Sequence, residues 1–149
     1  PFPSLAAMDN AMIERWNLTV AEDDTLWHLG DFGVRLSEAR AVALLAHLHG
    51  TKHLIAGNTD GPALRALPAW ATVRDMAELT LADRRFVLCH YPLRAWNGQH
   101  RGAINLHGHS HGRLKPLPRQ VDVGVDAWDF RPIGVADVLE RAGRQKAAH

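Results

Sequence analysis

Residues 25–58 read TLWHLGDFGVRLSEARAVALLAHLHGTKHLIAGN, and the fold class follows from how this stretch divides. Thr25–Leu29 is too short for a helix and carries Thr and Trp, which suit a strand. Gly30-Asp31 ends that run. Ser37 can cap a helix reaching to about His49, with Gly50 as its stop. Lys52–Ala56 then reads as a second strand that ends in Gly57-Asn58. This alternation of strand, loop, helix and strand argues for a layered α/β domain with a largely parallel sheet.

Toward the N-terminus, Ser4 is positioned to cap a helix over Leu5–Asn17, in which Leu5, Met8, Met12, Ile13 and Trp16 form an apolar stripe. Asp23-Asp24 makes a turn into the first strand. Toward the C-terminus, Asp60-Gly61-Pro62 is a turn, and a short helical piece runs to Leu67 before Pro68 breaks it. Val73-Arg74 and Leu79–Leu81 read as short strands leading to a turn at Asp83-Arg84. Phe86–Cys89 is apolar on both faces, as a strand covered on both sides should be. Trp96–Gly102 is polar loop, Ile104–Leu106 another short strand and Lys115–Gln120 a connection. Val121, Val123 and Val125 alternate with Asp122, Gly124 and Asp126, a period of two. Val135–Lys146 closes the chain as a helix. With no internal repeat or linker, residues 1–149 are expected to form one domain.

Four of the apolar runs end in residues that can bind a metal. Thr25–Leu29 runs into Asp31, Leu54–Ala56 into Asn58, Phe86–Cys89 into His90, and Ile104–Leu106 into Gly108-His109-Ser110-His111. Open α/β sheets bind ligands in the crevice outside the carboxyl ends of their strands. If the four runs are neighbouring strands, one Asp, one Asn and three His converge there, an N/O ligand set for a divalent transition metal. Each residue also has a plainer reading. Asp31 and Asn58 can be turn residues, His90 a buried core histidine, and His109 and His111 solvated loop residues. Four plain readings at four strand ends are a weaker account than one shared site.

Composition excludes other classes. The formal charge is +1, which gives no electrostatic footprint for nucleic acid or an anionic membrane. The one cysteine, Cys89, rules out an internal disulfide framework and fits a reducing, cytoplasmic setting; its side chain is expected in the core. No apolar run reaches membrane-spanning length, so no membrane partner is expected. The apolar surface around Met8 and Trp16 suits either a core or a subunit interface, which keeps a homo-oligomer among the expectations.

Taken together, Gly30-Asp31, Gly57-Asn58-Thr59-Asp60, His90 and Gly108-His109-Ser110-His111 resemble the calcineurin-like metallophosphoesterase superfamily, and the stretch Trp27–Phe32 is similar to its small bacterial and phage members. The resemblance implies two sheets packed face to face with helices outside, a four-layer α/β/β/α arrangement. It implies a site for two divalent ions (Mn, Fe, Zn or Ni), with Asp31 bridging, Asn58, His90 and His109 completing one ion, and His111 on the other. Asp31, Asn58 and Asp60 would serve catalysis, and Asn58 would contact the phosphate of a small-molecule or nucleotide substrate; from its place on the loop after His90, Arg94 is a further candidate for a phosphate oxygen, with a solvated Arg as its plainer reading. The implied reaction is phosphoester hydrolysis, of diesters more than monoesters, by a metal-activated water between ions about 4 Å apart.

Two departures qualify this picture. The superfamily's Asp-x-His after a first strand has no counterpart before Asp31, which leaves the second ion few ligands. By the usual strand and loop lengths, a piece of roughly 20 to 30 residues carrying that strand is expected upstream of Pro1. Thr59 stands where relatives commonly have a His that protonates the leaving group, and a lost general acid slows such reactions about 10²–10⁴-fold. His28 and His107 are possible substitutes, with packing as their plainer role. The alternative is a non-catalytic metal- or phosphate-binding relative with a degraded site.

Overall fold

The computed structural model describes residues 4–30, 32, 37–108, 117–123 and 132–148. Helix α1 spans Leu5–Thr19 and begins where the Ser4 hydroxyl accepts from Ala7 N at 3.1 Å. Helix α2, Glu38–His47, begins the same way, with Ser37 Oγ accepting from Arg40 N at 3.2 Å. Both caps satisfy a backbone donor that the first helical turn leaves without a partner. A clamp joins the ends of these two helices. Trp16 Nε1 donates to His49 O at 2.9 Å, Asn17 Nδ2 donates to His47 O at 2.8 Å, and Asn17 Oδ1 accepts from His49 N at 2.9 Å. Trp16 is buried, so this part of the α1 stripe is core.

The strands fall into two sheets. The first has the order β1 (Thr25–His28), β2 (Thr51–Ile55), β3 (Trp70–Arg74), all parallel. A four-residue helix, α3 (Pro62–Arg65), lies between β2 and β3 in sequence. The second sheet has the order β4 (Met76–Leu81), β5 (Arg84–Cys89), β6 (Ile104–His107), β7 (Gln120–Asp122). Here β4 and β5 are antiparallel, and β5, β6 and β7 are parallel. Residue Asp75 alone separates β3 in one sheet from β4 in the other. Helix α4 spans Val135–Ala148. The outcome is a mixed α/β fold with two sheets and helices.

The four ligand-bearing runs are therefore not four neighbours in one sheet. They are two parallel pairs, β1 with β2 and β5 with β6, one pair in each sheet. Parallel neighbours need a crossover between them; α2 supplies it for the first pair, and the loop containing the 3-10 turn Gln99–Arg101 supplies it for the second. Strands β3 and β4 are longer than the two-residue and three-residue pieces expected. Pairing with β2 and β5 extends them through Trp70–Thr72 and Met76–Glu78. The β4–β5 turn is Ala82-Asp83, both left-handed at φ 51° and 60°, one residue earlier than expected. That conformation matches the twist of a two-residue hairpin.

Two main clusters form the core. Trp16, Val20, Ala41, Leu45, Leu48, Leu54 and Trp70 join α1 and α2 to the first sheet. The second cluster draws on both sheets and on α4, with Leu29 and Ile55 meeting Phe86, Leu88, Ile104, Val121 and Val138. Strand period explains the division, since Leu54 and Ile55 are adjacent in β2 and point to opposite faces. On the other face of β5, Val87 packs with Trp96 and Ala103. Cys89 is half-buried rather than a core residue, because it ends β5 opposite exposed Met76. Among the described residues, no helix is long and apolar enough to cross a membrane.

Candidate functional site

Strand β5 runs into His90, which is 1% exposed and fixed from two directions. Its Nδ1 lies 2.7 Å from Leu29 O, just past the end of β1. A carbonyl only accepts, so Nδ1 is the donor of this bond. The other ring nitrogen, Nε2, is 3.0 Å from Oδ1 of Asn58, on the turn after β2. The backbone carbonyl of His90 accepts from Gly108 N at 3.0 Å, which brings in the end of β6. All four strand ends thus meet at one histidine, through its ring and its backbone carbonyl, two from each sheet.

Glycines make this approach possible. Gly30 has φ +102°, and a Cβ there would lie 2.8 Å from the Cα and N of Gly57 and would collide with the His90 ring. A Cβ on Gly108 would lie 3.0 Å from Leu29 O. Both are places where only a missing side chain lets backbones close around the histidine. His28 Nδ1 accepts from Gly30 N at 3.2 Å and bends the chain after β1. Phe32, on the far side of Asp31 in sequence, stacks edge-on against Trp70 at 5.3 Å.

The β2 turn is built locally. Asp60 is buried; its Oδ2 accepts from Gly57 N at 2.9 Å, and its own N–H donates to Gly57 O at 3.2 Å. These bonds leave Asn58 and Thr59 exposed at the tip. Asp60 therefore shapes the turn that presents Asn58. The loop after His90 is held from behind by two buried amides that sequence reading did not single out. Asn105 Nδ2 donates to Val87 O at 3.0 Å, its Oδ1 accepts from Leu93 N at 3.2 Å, and Gln120 Nε2 donates to Leu93 O at 2.6 Å. The signal was an Asn in the middle of the apolar run Ile104–Leu106. Arg94, the next residue, is exposed. Trp96 is buried and donates to Ala103 O at 2.9 Å, so it closes the loop rather than walling a cleft. His107 is buried, with Nδ1 2.8 Å from Gly108 O.

Of the expected ligands, Asn58 and His90 are brought together, while Asp31, His109 and His111 lie outside the described residues. Among the described residues, no three His, Cys, Asp or Glu side chains form a metal-holding group. The pair that is described has donor chemistry that fits an ion. A ligating histidine typically donates its other ring N–H to a carbonyl or carboxylate, as His90 does to Leu29. Its Nε2 lies beside the Asn58 carbonyl oxygen, and both atoms are of a kind that ligates divalent cations. Two donors of one divalent ion at about 2.1 Å stand roughly 3 Å apart, the spacing seen here.

No family model matches the chain. Its fold is similar to that of AQ665, a protein of unknown function from Aquifex aeolicus, with a TM-score of 0.74, 18% identity, and coverage of 93% of this chain and 87% of that one. Protein MJ1445 of Methanocaldococcus jannaschii is 26% identical over 145 residues, spanning 91% of this chain and 75% of its own. The Gene 66 protein of Mycobacterium phage L5 is 26% identical over 135 residues. The Gene 66 protein of Mycobacterium phage D29 is 30% identical over 151 residues, covering 80% of this chain and 76% of the phage protein. By that extent of identity, the chain belongs to the family of the Gene 66 protein of Mycobacterium phage D29.

Proposed function

We propose that this protein is a metal-dependent phosphoester hydrolase related to the calcineurin-like metallophosphoesterases. It acts in the cytoplasm on small-molecule or nucleotide phosphoesters, diesters in preference to monoesters, and its two sheets take the α/β/β/α order of that superfamily. The observation that carries the reading is His90, with Nδ1 committed to Leu29 O and Nε2 aimed at Asn58 Oδ1 where four strands end.

Asn58 and His90 would hold one ion, together with Asp31 and His109, which follow Gly30 and Gly108 in sequence; His111 would belong to the second. When bound, two divalent ions supply Lewis acidity and a water acidic enough to attack near neutral pH. The remaining work falls to the chain. The Leu29 carbonyl fixes the tautomer of His90. Asp60 sets the turn so that the Asn58 amide can also donate to a phosphate oxygen. Arg94 extends from a loop anchored at Leu93 and suits a second phosphate oxygen. Exposed Thr59 donates a hydrogen bond but does not protonate a leaving group near neutral pH, so esters with good leaving groups are the favoured substrates.

The test is hydrolysis of bis-p-nitrophenyl phosphate by this chain with Mn²⁺. Expected is turnover that a chelator abolishes and that falls at least about 100-fold in Asp31→Asn and in His90→Ala, the scale on which metal-site ligands and their partners act. Mn²⁺ binding without turnover would replace the hydrolase with the non-catalytic metal-binding alternative. Turnover indifferent to chelator, or unchanged in both variants, would overturn the proposal.

A further inference from the structure

A recess of about 290 Å³ lies between the start of β5, the Gln99–Arg101 turn and α4, and none of its lining residues belongs to the site around His90. Its polar wall is Arg84, His100 and Arg119; its apolar wall is Leu139, Ala142 and Gly143 of α4. Among the described residues, no carboxylate lines it. Arg84 Nη2 lies 3.5 Å from Gly102 O, and Arg119 Nη2 donates to Gln99 O at 2.7 Å. A guanidinium offers five N–H donors, so these bonds use only part of each group, and backbone carbonyls leave the charge unneutralised. Arg119 Nε is buried without a hydrogen-bond partner among the described residues.

The backbone adds a second observation. Arg119 sits at φ +60°, a left-handed conformation uncommon for a residue with a Cβ. Its carbonyl is pinned by Asn105 N at 3.0 Å, so the fold holds a long cationic side chain where a glycine would fit at less strain. Entry is open, since a Cβ on Gly102 or on Gly143 would meet nothing within 4 Å.

We propose that this recess binds a small phosphate-bearing anion. Two planar guanidinium forks match phosphate oxygens in pairs, the His100 imidazole supplies a further donor, and Leu139 and Ala142 face the ligand's carbon skeleton. The volume is at the lower end for small-molecule sites, which selects free phosphate or a short phosphate ester over a dinucleotide. The assignment is independent of the hydrolase proposal, because the two sites share no residue.

The experiment is titration of the chain, with chelator present, by inorganic phosphate and separately by glycerol 3-phosphate, followed by backbone amide NMR. Expected are saturable shifts at Gly102, Gln120 and Gly143, with the ester binding more tightly. Arg84→Gln and Arg119→Gln should each weaken binding at least about tenfold, and Arg65→Gln, which removes an exposed arginine elsewhere, should not. Arg84 is exposed at a strand start, so its variant tests the site even if Arg119→Gln fails to fold. Equal affinity for the two probes would support the site and assign it to free phosphate. No saturable shift, shifts confined to Gly57 and Gly108, or parental affinity in Arg84→Gln would overturn it.

Discussion

Asn58 and His90 face each other across the same site, but they are held there by opposite strategies. The Asn58 turn is closed by bonds between Gly57 and Asp60, three residues apart. His90 is held by bonds to Leu29, 61 residues away, and to Asn58, 32 residues away. A four-residue turn forms from its own sequence, with an Asp accepting from a nearby N–H. The histidine has its geometry only once both sheets have closed. Damage to the turn should therefore stay local, whereas damage around the histidine should be felt by both sheets.

The largest effect should come from Gly30→Ala. The substitution forces an L side chain into φ +102° and drives a Cβ against Gly57 and the His90 ring. Strain and overpacking together should cost about 3–5 kcal/mol in a urea melt. Next is His90→Ala, which empties a buried position and removes the donor to Leu29 O; about 2–4 kcal/mol is expected by the same measurement. If His90→Ala were as stable as the parent, the two sheets would not be joined through this ring.

Asp60→Ala should cost only about 1–2 kcal/mol, by leaving Gly57 N without its acceptor. Amide NMR should confine its shifts to the neighbourhood of residues 57–61, and shifts at β5 would erase the contrast between the two strategies. Ala82→Gly provides a local turn remote from the site. It relieves a φ of 51° in the β4–β5 hairpin and should stabilise the chain by about 0.5–1 kcal/mol.

The smallest effect is tuned by pH. His53 stacks on Trp27 at 4.4 Å in the β1–β2 pair, and burial, with Arg74 repulsion second, holds its pKa below 6.5. The unfolded chain then takes up the proton first as pH falls, so the His53 contribution is intact above about pH 6.5 and is lost below it. Denaturation at pH 7.5 and 5.0 should show a smaller difference in His53→Gln than in the parent; an equal difference would exonerate His53.

Much of the scaffold was legible in the sequence. Ser4 and Ser37 cap helices because a hydroxyl at the right offset satisfies a free N–H. The runs at 25, 51, 86 and 104 become strands because short apolar segments with β-branched residues have few other ways to be buried. Less legible were the full lengths of β3 and β4, which pairing with β2 and β5 sets, and Asn105 and Gln120, whose buried amides are explained only by the loop they hold. Of the expected set at the strand ends, Asn58 and His90 are brought together. Asp60 shapes the turn beneath it by accepting from Gly57 N.

The amino-acid sequence by itself determined the helix starts, the strand-ending residues and the glycines at 30, 57 and 108, because caps, periodicity and the absence of a Cβ act over a few residues. Only the tertiary structure decided that β1 and β2 lie in one sheet and β5 and β6 in another, that a single histidine joins all four ends, and that Arg84 and Arg119 come together beside α4. Those outcomes depend on which apolar faces bury one another across tens of residues, and no short stretch of this chain encodes that choice.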